Sequence, residues 1–164
     1  MFKKGEYVVH GRSGVCVVDG TTKEVPGSSG NQLYYELVPV KTPHSKIFFP
    51  VDNDRVVLRA MLTKAEAEDM LKEMKKAEPV HIANDREREN EFKKSIASCD
   101  CVKIATVIKT LIERSQEREE QGKRSTFVDA RLLNDATDLI NNEFSLALGI
   151  DMCDIEDYVL KEIM

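Results

Sequence analysis

GEYVVHGRSGVCVV, residues 5–18, is the stretch on which the fold turns. Residues 7–10 and 15–18 are runs of β-branched and aromatic side chains, and the tetrapeptide GRSG separates them. Such runs favour extended backbone, while Gly11 and Gly14 supply the positive φ that a tight reversal needs. A β-hairpin is predicted at the start of the chain. The stretch is read as building a sheet rather than performing chemistry.

Outward from the hairpin, VPGSSGNQ at residues 25–32 concentrates turn formers and reads as a loop tip between strands. LYYELVPV at 33–40 is the next strand, and Pro39, without an amide donor, places its end at an edge or a bulge. Residues 42–45 turn, KIFFPV at 46–51 forms a fourth strand, and residues 55–59 add a short extended piece. Short strands joined by tight turns predict a small, strongly bent antiparallel β-barrel of the SH3 or Tudor kind over residues 1–60.

At Thr63 the apolar period changes from two to between three and four. Thr63 and Glu66 have capping-box spacing, and Leu62, Ala65, Met70, Leu71 and Met74 form a helical stripe. Pro79 breaks that helix, so residues 61–84 read as a helix and connector and residues 85–164 as a helical domain. A charged helix over 85–97 is anchored by Phe92 and Ile96. Asp100 caps a helix from Cys101 to about Gln121, and Thr126 with Asp129 caps another that Gly149 ends. A short acidic helix reaches Ile163. The predicted fold class is α+β, a small antiparallel β-barrel followed by an α-helical bundle.

The chain has 164 residues, 41% hydrophobic and 32% charged, enough for one domain or two small ones with modest cores. No apolar run reaches the length of a membrane span and no signal-peptide pattern precedes the first strand, so a cytoplasmic protein is expected. Cys16, Cys99, Cys101 and Cys153 are scattered, which predicts reduced thiols. Charge is segregated: residues 1–59 hold 8 basic and 6 acidic residues, 85–124 hold 10 and 9, and 125–164 hold 2 and 9. A polyanion would be repelled by the last block and met by the N-terminal half or the middle.

Cys99 and Cys101 make a Cys-x-Cys pair without a second pair at ligand spacing, and His10, His44 and His81 are dispersed. No metal site or cofactor is expected. Neither a Walker loop nor a nucleophile elbow occurs, so no enzymatic activity is expected. Arg86, Arg88, Lys93, Lys94, Lys103 and Lys109 gather around the start of the helical domain, where phosphate contacts would need them. Glu87, Glu89 and Glu91 are interleaved with them, and a solvated, salt-bridged helix explains the same pattern.

The order GEYVVHGRSGVCVV, YYEL at 34–37, IFFP at 47–50, Arg59, then IATVIKTLIER and DATDLINNEFSLAL, resembles the CarD/CdnL family of bacterial transcription regulators. The resemblance covers nearly the whole chain. Its N-terminal half is similar to the RNA-polymerase-interacting module of transcription-repair coupling factors. The family implies a Tudor-like domain that docks on the β subunit of RNA polymerase. It also implies a helical domain that touches promoter DNA at the upstream edge of the bubble and alters the lifetime of the open complex. Carried over by position, the polymerase contacts fall on Lys23, Lys46, Ile47, Phe48 and Pro50, and the cations left to hold DNA are Arg86, Arg88, Lys93 and Lys94. Phe48 stands where some members have arginine. The tryptophan that members use as a minor-groove wedge is absent, and its position corresponds to Asp85, which cannot stack and repels phosphate. The expected protein is a monomer with no membrane partner. A protein-only adaptor that ignores DNA is the alternative.

Overall fold

The computed structural model describes residues 1–164, which form two compact units, Met1–Met61 and Leu62–Met164. The first holds β1 (Tyr7–His10), β2 (Gly14–Thr22), β3 (Tyr34–Pro39), β4 (Ile47–Pro50) and β5 (Leu58–Ala60). They make one antiparallel sheet in the order β4-β3-β2-β1-β5. The opening hairpin pairs His10 with Gly14. Of its two glycines only Gly14 takes positive φ, at 70°; the Gly11 amide instead donates to the Val57 carbonyl at 2.9 Å and ties β1 to the chain entering β5.

Period-two alternation gives the sheet one core face, and the paired Val9 and Val15 on the opposite face are buried as well. Val8, Cys16, Val18, Tyr35, Leu37 and Phe49 form its core, with Ile47 and Leu58 packed against them. The closed barrel predicted above is not formed, because β4 and β5 are the two edges and do not pair. Closure needs tilt and stagger around the whole ring, and these edge strands, four and three residues long, each bond to one neighbour. A bulge between Val18 and Gly20 bends β2. Pro39 ends an interior strand rather than an edge strand. The Val40 amide bonds back to Val15, so by alternation the Pro39 nitrogen faces the β4 side, where pairing has stopped at Leu37. Its missing donor costs no ladder bond.

The second unit consists of α1 (Lys64–Lys76), α2 (Asp85–Ala97), α3 (Cys101–Glu120), α4 (Phe127–Leu148) and α5 (Met152–Ile163). Thr63 and Glu66 form the capping box on α1, Asn84 caps α2, Asp100 caps α3 and Thr126 caps α4, while Gly149 ends α4 in the left-handed region. Met74, Phe92, Ile104, Ile108, Leu111, Ile140, Phe144 and Ile155 fill one core, so α1 packs as part of the bundle. Residues 78–84 are pinned to it: the Val80 amide donates to the Thr110 hydroxyl at 3.0 Å. All four cysteines are free thiols, and burial pushes the Cys16 thiol up to about 11. No helix is long and apolar enough to cross a membrane.

Candidate functional site

The first candidate surface is β4. The Val51 amide bonds the Leu33 carbonyl at 2.9 Å, and the register pairs Phe49 with Tyr35 and Ile47 with Leu37, so these residues turn their main chain inward. Alternation then turns the main chain of Lys46, Phe48 and Pro50 outward. Phe48 presents a free amide and carbonyl, whereas Pro50 has no amide donor and its carbonyl already accepts from the Asn53 amide at 3.1 Å. The side chains divide in the same rhythm: Ile47 and Phe49 enter the core, while half-buried Phe48 lies on the opposite face across from Glu36. Any contact of Ile47 with a partner is therefore confined to its exposed fraction. Phe48 is as apolar as Ile47 and Phe49, so the sequence pattern alone did not mark which of them faces the core.

Lys46 is the charged post of this edge. Its Nζ lies 3.2 Å from Asp19 and 3.5 Å from Glu36, and Lys4 reaches Asp19 at 3.6 Å. The hydrogen bond to Asp19 raises the Lys46 pKa and the same bond lowers that of Asp19. All these groups are partly solvated, so the cluster can exchange partners at small cost. Lys23 follows the end of β2, exposed. The register aligns Thr22, Tyr34 and Pro50 across the sheet, which sets Lys23 at the Pro50 end, opposite the Lys46 end.

Behind the edge sits His10, which sequence reasoning left as a plain strand residue. It is 6% exposed, its Nδ1 has no hydrogen-bond partner, and its ring meets Phe49 edge-on at 5.4 Å and 88°. Burial first, and then the charge of Arg12, lower its pKa.

The second candidate surface is the start of α2, and here the structure separates the residues that the sequence grouped. Arg88 is buried. Its guanidinium donates to the Ile82 carbonyl at 3.3 Å and meets Asp85 at 2.8 Å and Asp129 at 3.4 Å. Arg114 joins the same carboxylates, Asp129 at 2.8 Å and Asp85 at 3.7 Å. Burial alone would raise the Asp129 pKa, but the Arg114 hydrogen bond and the charges of Arg88 and Arg114 outweigh it and leave the pKa lowered. Arg88 is thus a core ion-pair residue and is withdrawn from the set facing solvent. Asp85 is mostly exposed yet anchored to both arginines. Arg86, Lys93 and Lys94 stay at the surface, Lys93 paired with Glu89 and Lys94 with Glu91 at 3.3 Å.

Lys109 is withdrawn as well. It is 7% exposed, and its Nζ donates to the Lys75 carbonyl at 2.8 Å and the Ala77 carbonyl at 2.7 Å, closing the C-terminus of α1; burial lowers its pKa. A cleft of about 120 Å³ opens beside Arg88 and Arg114, but Glu113 and Glu117 share its lining, so it presents no net positive charge. Asp151, Cys153 and Asp154 bring ligand atoms within 4.8 Å of one another at the start of α5, all exposed.

Residues 2–62 match the family described as CarD-like/TRCF RID domain, and residues 59–160 match CarD, C-terminal domain. The two matches together run over nearly the whole chain. No curated protein matches it.

Proposed function

The chain belongs to the CarD/CdnL family of transcription regulators that interact with RNA polymerase, and from that premise we propose that β4 docks on the polymerase β subunit by strand addition. The observation that carries this reading is the open β4 edge, whose Phe48 amide and carbonyl point away from β3. An added strand gains main-chain hydrogen bonds from such an edge, and side chains beside it set the choice of partner. Phe48 supplies an apolar contact there and Lys46 a charge that can move from Asp19 to an acidic partner. In this reading the sheet is a Tudor-like module of an open kind, and the chain acts as a cytoplasmic monomer without enzymatic activity.

We further propose that the helical unit approaches promoter DNA at the upstream edge of the bubble and changes the lifetime of the open complex. With Arg88 withdrawn, Arg86, Lys93 and Lys94 are the cations of α2 left for phosphate. A protein-only adaptor is the second reading. It is favoured by the commitment of Asp85 to Arg88 and Arg114, which leaves a carboxylate where the family's aromatic wedge would stand.

The deciding experiment is capture of the polymerase β lobe by the full chain and by the Phe48→Asp and Lys46→Glu variants. Both substitutions should weaken capture by about tenfold or more while thermal unfolding stays near that of the parent. Undiminished capture by both would mean that another surface docks. Open-complex lifetime on a promoter, with and without the protein, then separates the regulator from an adaptor that leaves it unchanged.

A further inference from the structure

Phe127, the first residue of α4, is 82% exposed, and no other phenylalanine in the chain is exposed. Its exposure does not come from a loose segment. Gly122 turns the chain at φ 71°, the Lys123 amide bonds the Arg118 carbonyl at 2.8 Å, and the Arg118 Nε donates to the Arg124 carbonyl at 2.8 Å. The hydroxyls of Ser115 and Ser125 meet at 2.7 Å, and Thr126 accepts from the Asp129 amide at 3.1 Å. The ring is thus held outside the core on a braced turn.

Three cations flank it. Lys123 and Arg124 precede it in the turn, and Arg131 lies four residues on, on the same face of α4. All three are exposed and none of them joins an ion pair, unlike Lys93 and Lys94 on α2. Glu119 and Glu120 end α3 just before the turn, so the local field is modest and the ring must supply much of any affinity. Only Val128 adjoins Phe127 as an exposed apolar residue, at 39%. That is too narrow for the desolvated centre of a protein interface. A single flat ring bordered by cations suits a base stacked on the ring with its phosphates beside the cations. Paired bases within a duplex have their faces covered, so the complementary ligand is an unpaired strand.

We propose that Phe127, with Lys123, Arg124 and Arg131, is a stacking platform for an unpaired nucleobase of single-stranded nucleic acid. This rests on the reading that the helical unit meets DNA, and adds to it the state of the base and the residues that hold it.

The test uses the full chain and a labelled short oligothymidylate, with a blunt duplex of mixed sequence as the second probe, read by fluorescence anisotropy at low salt. Phe127→Ala should lower affinity for the single strand by roughly 5- to 100-fold, with Phe127→Tyr retaining it and duplex affinity changing by less than about twofold. Lys123→Ala and Arg124→Ala should each flatten the salt dependence by about one unit of slope. The ring touches no core, so circular dichroism of Phe127→Ala should match the parent. Equal single-strand affinity for the parent and Phe127→Ala overturns the platform and leaves the DNA reading standing. Duplex binding without single-strand binding by the parent does the same. Failure of the parent to bind either probe overturns both the platform and the DNA half of the proposed function, while polymerase capture remains a separate measurement.

Discussion

The Arg88 guanidinium shows how a single residue changes meaning between sequence and structure. Among the charges of α2 it looks like any surface cation, yet it is the one aimed at Asp129 from across the bundle. Removing the carboxylate strands a buried charge: Asp129→Asn should cost about 3 kcal/mol, whereas replacing Arg88 and Asp129 together by Met and Leu should cost clearly less. Urea denaturation of the two variants distinguishes these outcomes. His10 makes the opposite case, a buried base with no partner at Nδ1. Its folded pKa lies below the ordinary histidine value, so the unfolded chain takes up the proton first as pH falls. The sheet should therefore be at full strength above about pH 6.5 and weaken as pH drops below it. His10→Leu should remove that slope. Protection of the Val8 and Val9 amides against hydrogen exchange, compared across the same pH range, reads the effect directly.

At the scale of elements, ends matter more than middles. α1 closes on Lys109, which reaches from α3 to the carbonyls of Lys75 and Ala77. Lys109→Met keeps much of the buried stem but leaves those carbonyls short of a donor, and should cost about 1–3 kcal/mol, with fraying confined to the last turn of α1. Thermal unfolding with exchange mapping of α1 checks both magnitude and place. β4 likewise owes its role to where it ends. Its four residues pair with β3 alone, and Pro50 removes one outward donor, which limits an added strand to the Lys46–Phe48 half of the edge.

For the molecule as a whole, charge decides what each unit can meet. Residues 125–164 hold 9 acidic against 2 basic residues and would resist a polyanion, so duplex binding depends on the few cations of α2 that remain outside ion-pair burial. With three phosphates neutralised, by Arg86, Lys93 and Lys94, log K for duplex should fall with log salt at a slope of roughly −2.7. A steeper slope would mean that Lys103 or the α3–α4 turn joins in. The salt series on the full chain supplies the number.

The sequence by itself determined the type and order of the elements and most helix ends, while β2 runs on to Thr22 and β5 spans Leu58–Ala60 rather than residues 15–18 and 55–59. The glycine turns, capping pairs and apolar periods are local signals, and each acts within a few residues of where it is written. Hairpin, capping box, Asp100 cap and Gly149 stop all stand where those signals put them. Only the tertiary structure decided that the sheet stays open, that Ile47 faces the core while Phe48 faces out, and that Arg88 and Lys109 serve the interior. It also sets Phe127 in isolation at the surface. Ion pairing and burial depend on partners such as Asp129, 41 residues from Arg88, or the Lys75 carbonyl, 34 from Lys109. No local pattern specifies such distant partners. A cation's chemistry is the same at the surface and in the core, and the packing of other elements around it settles which of the two it occupies.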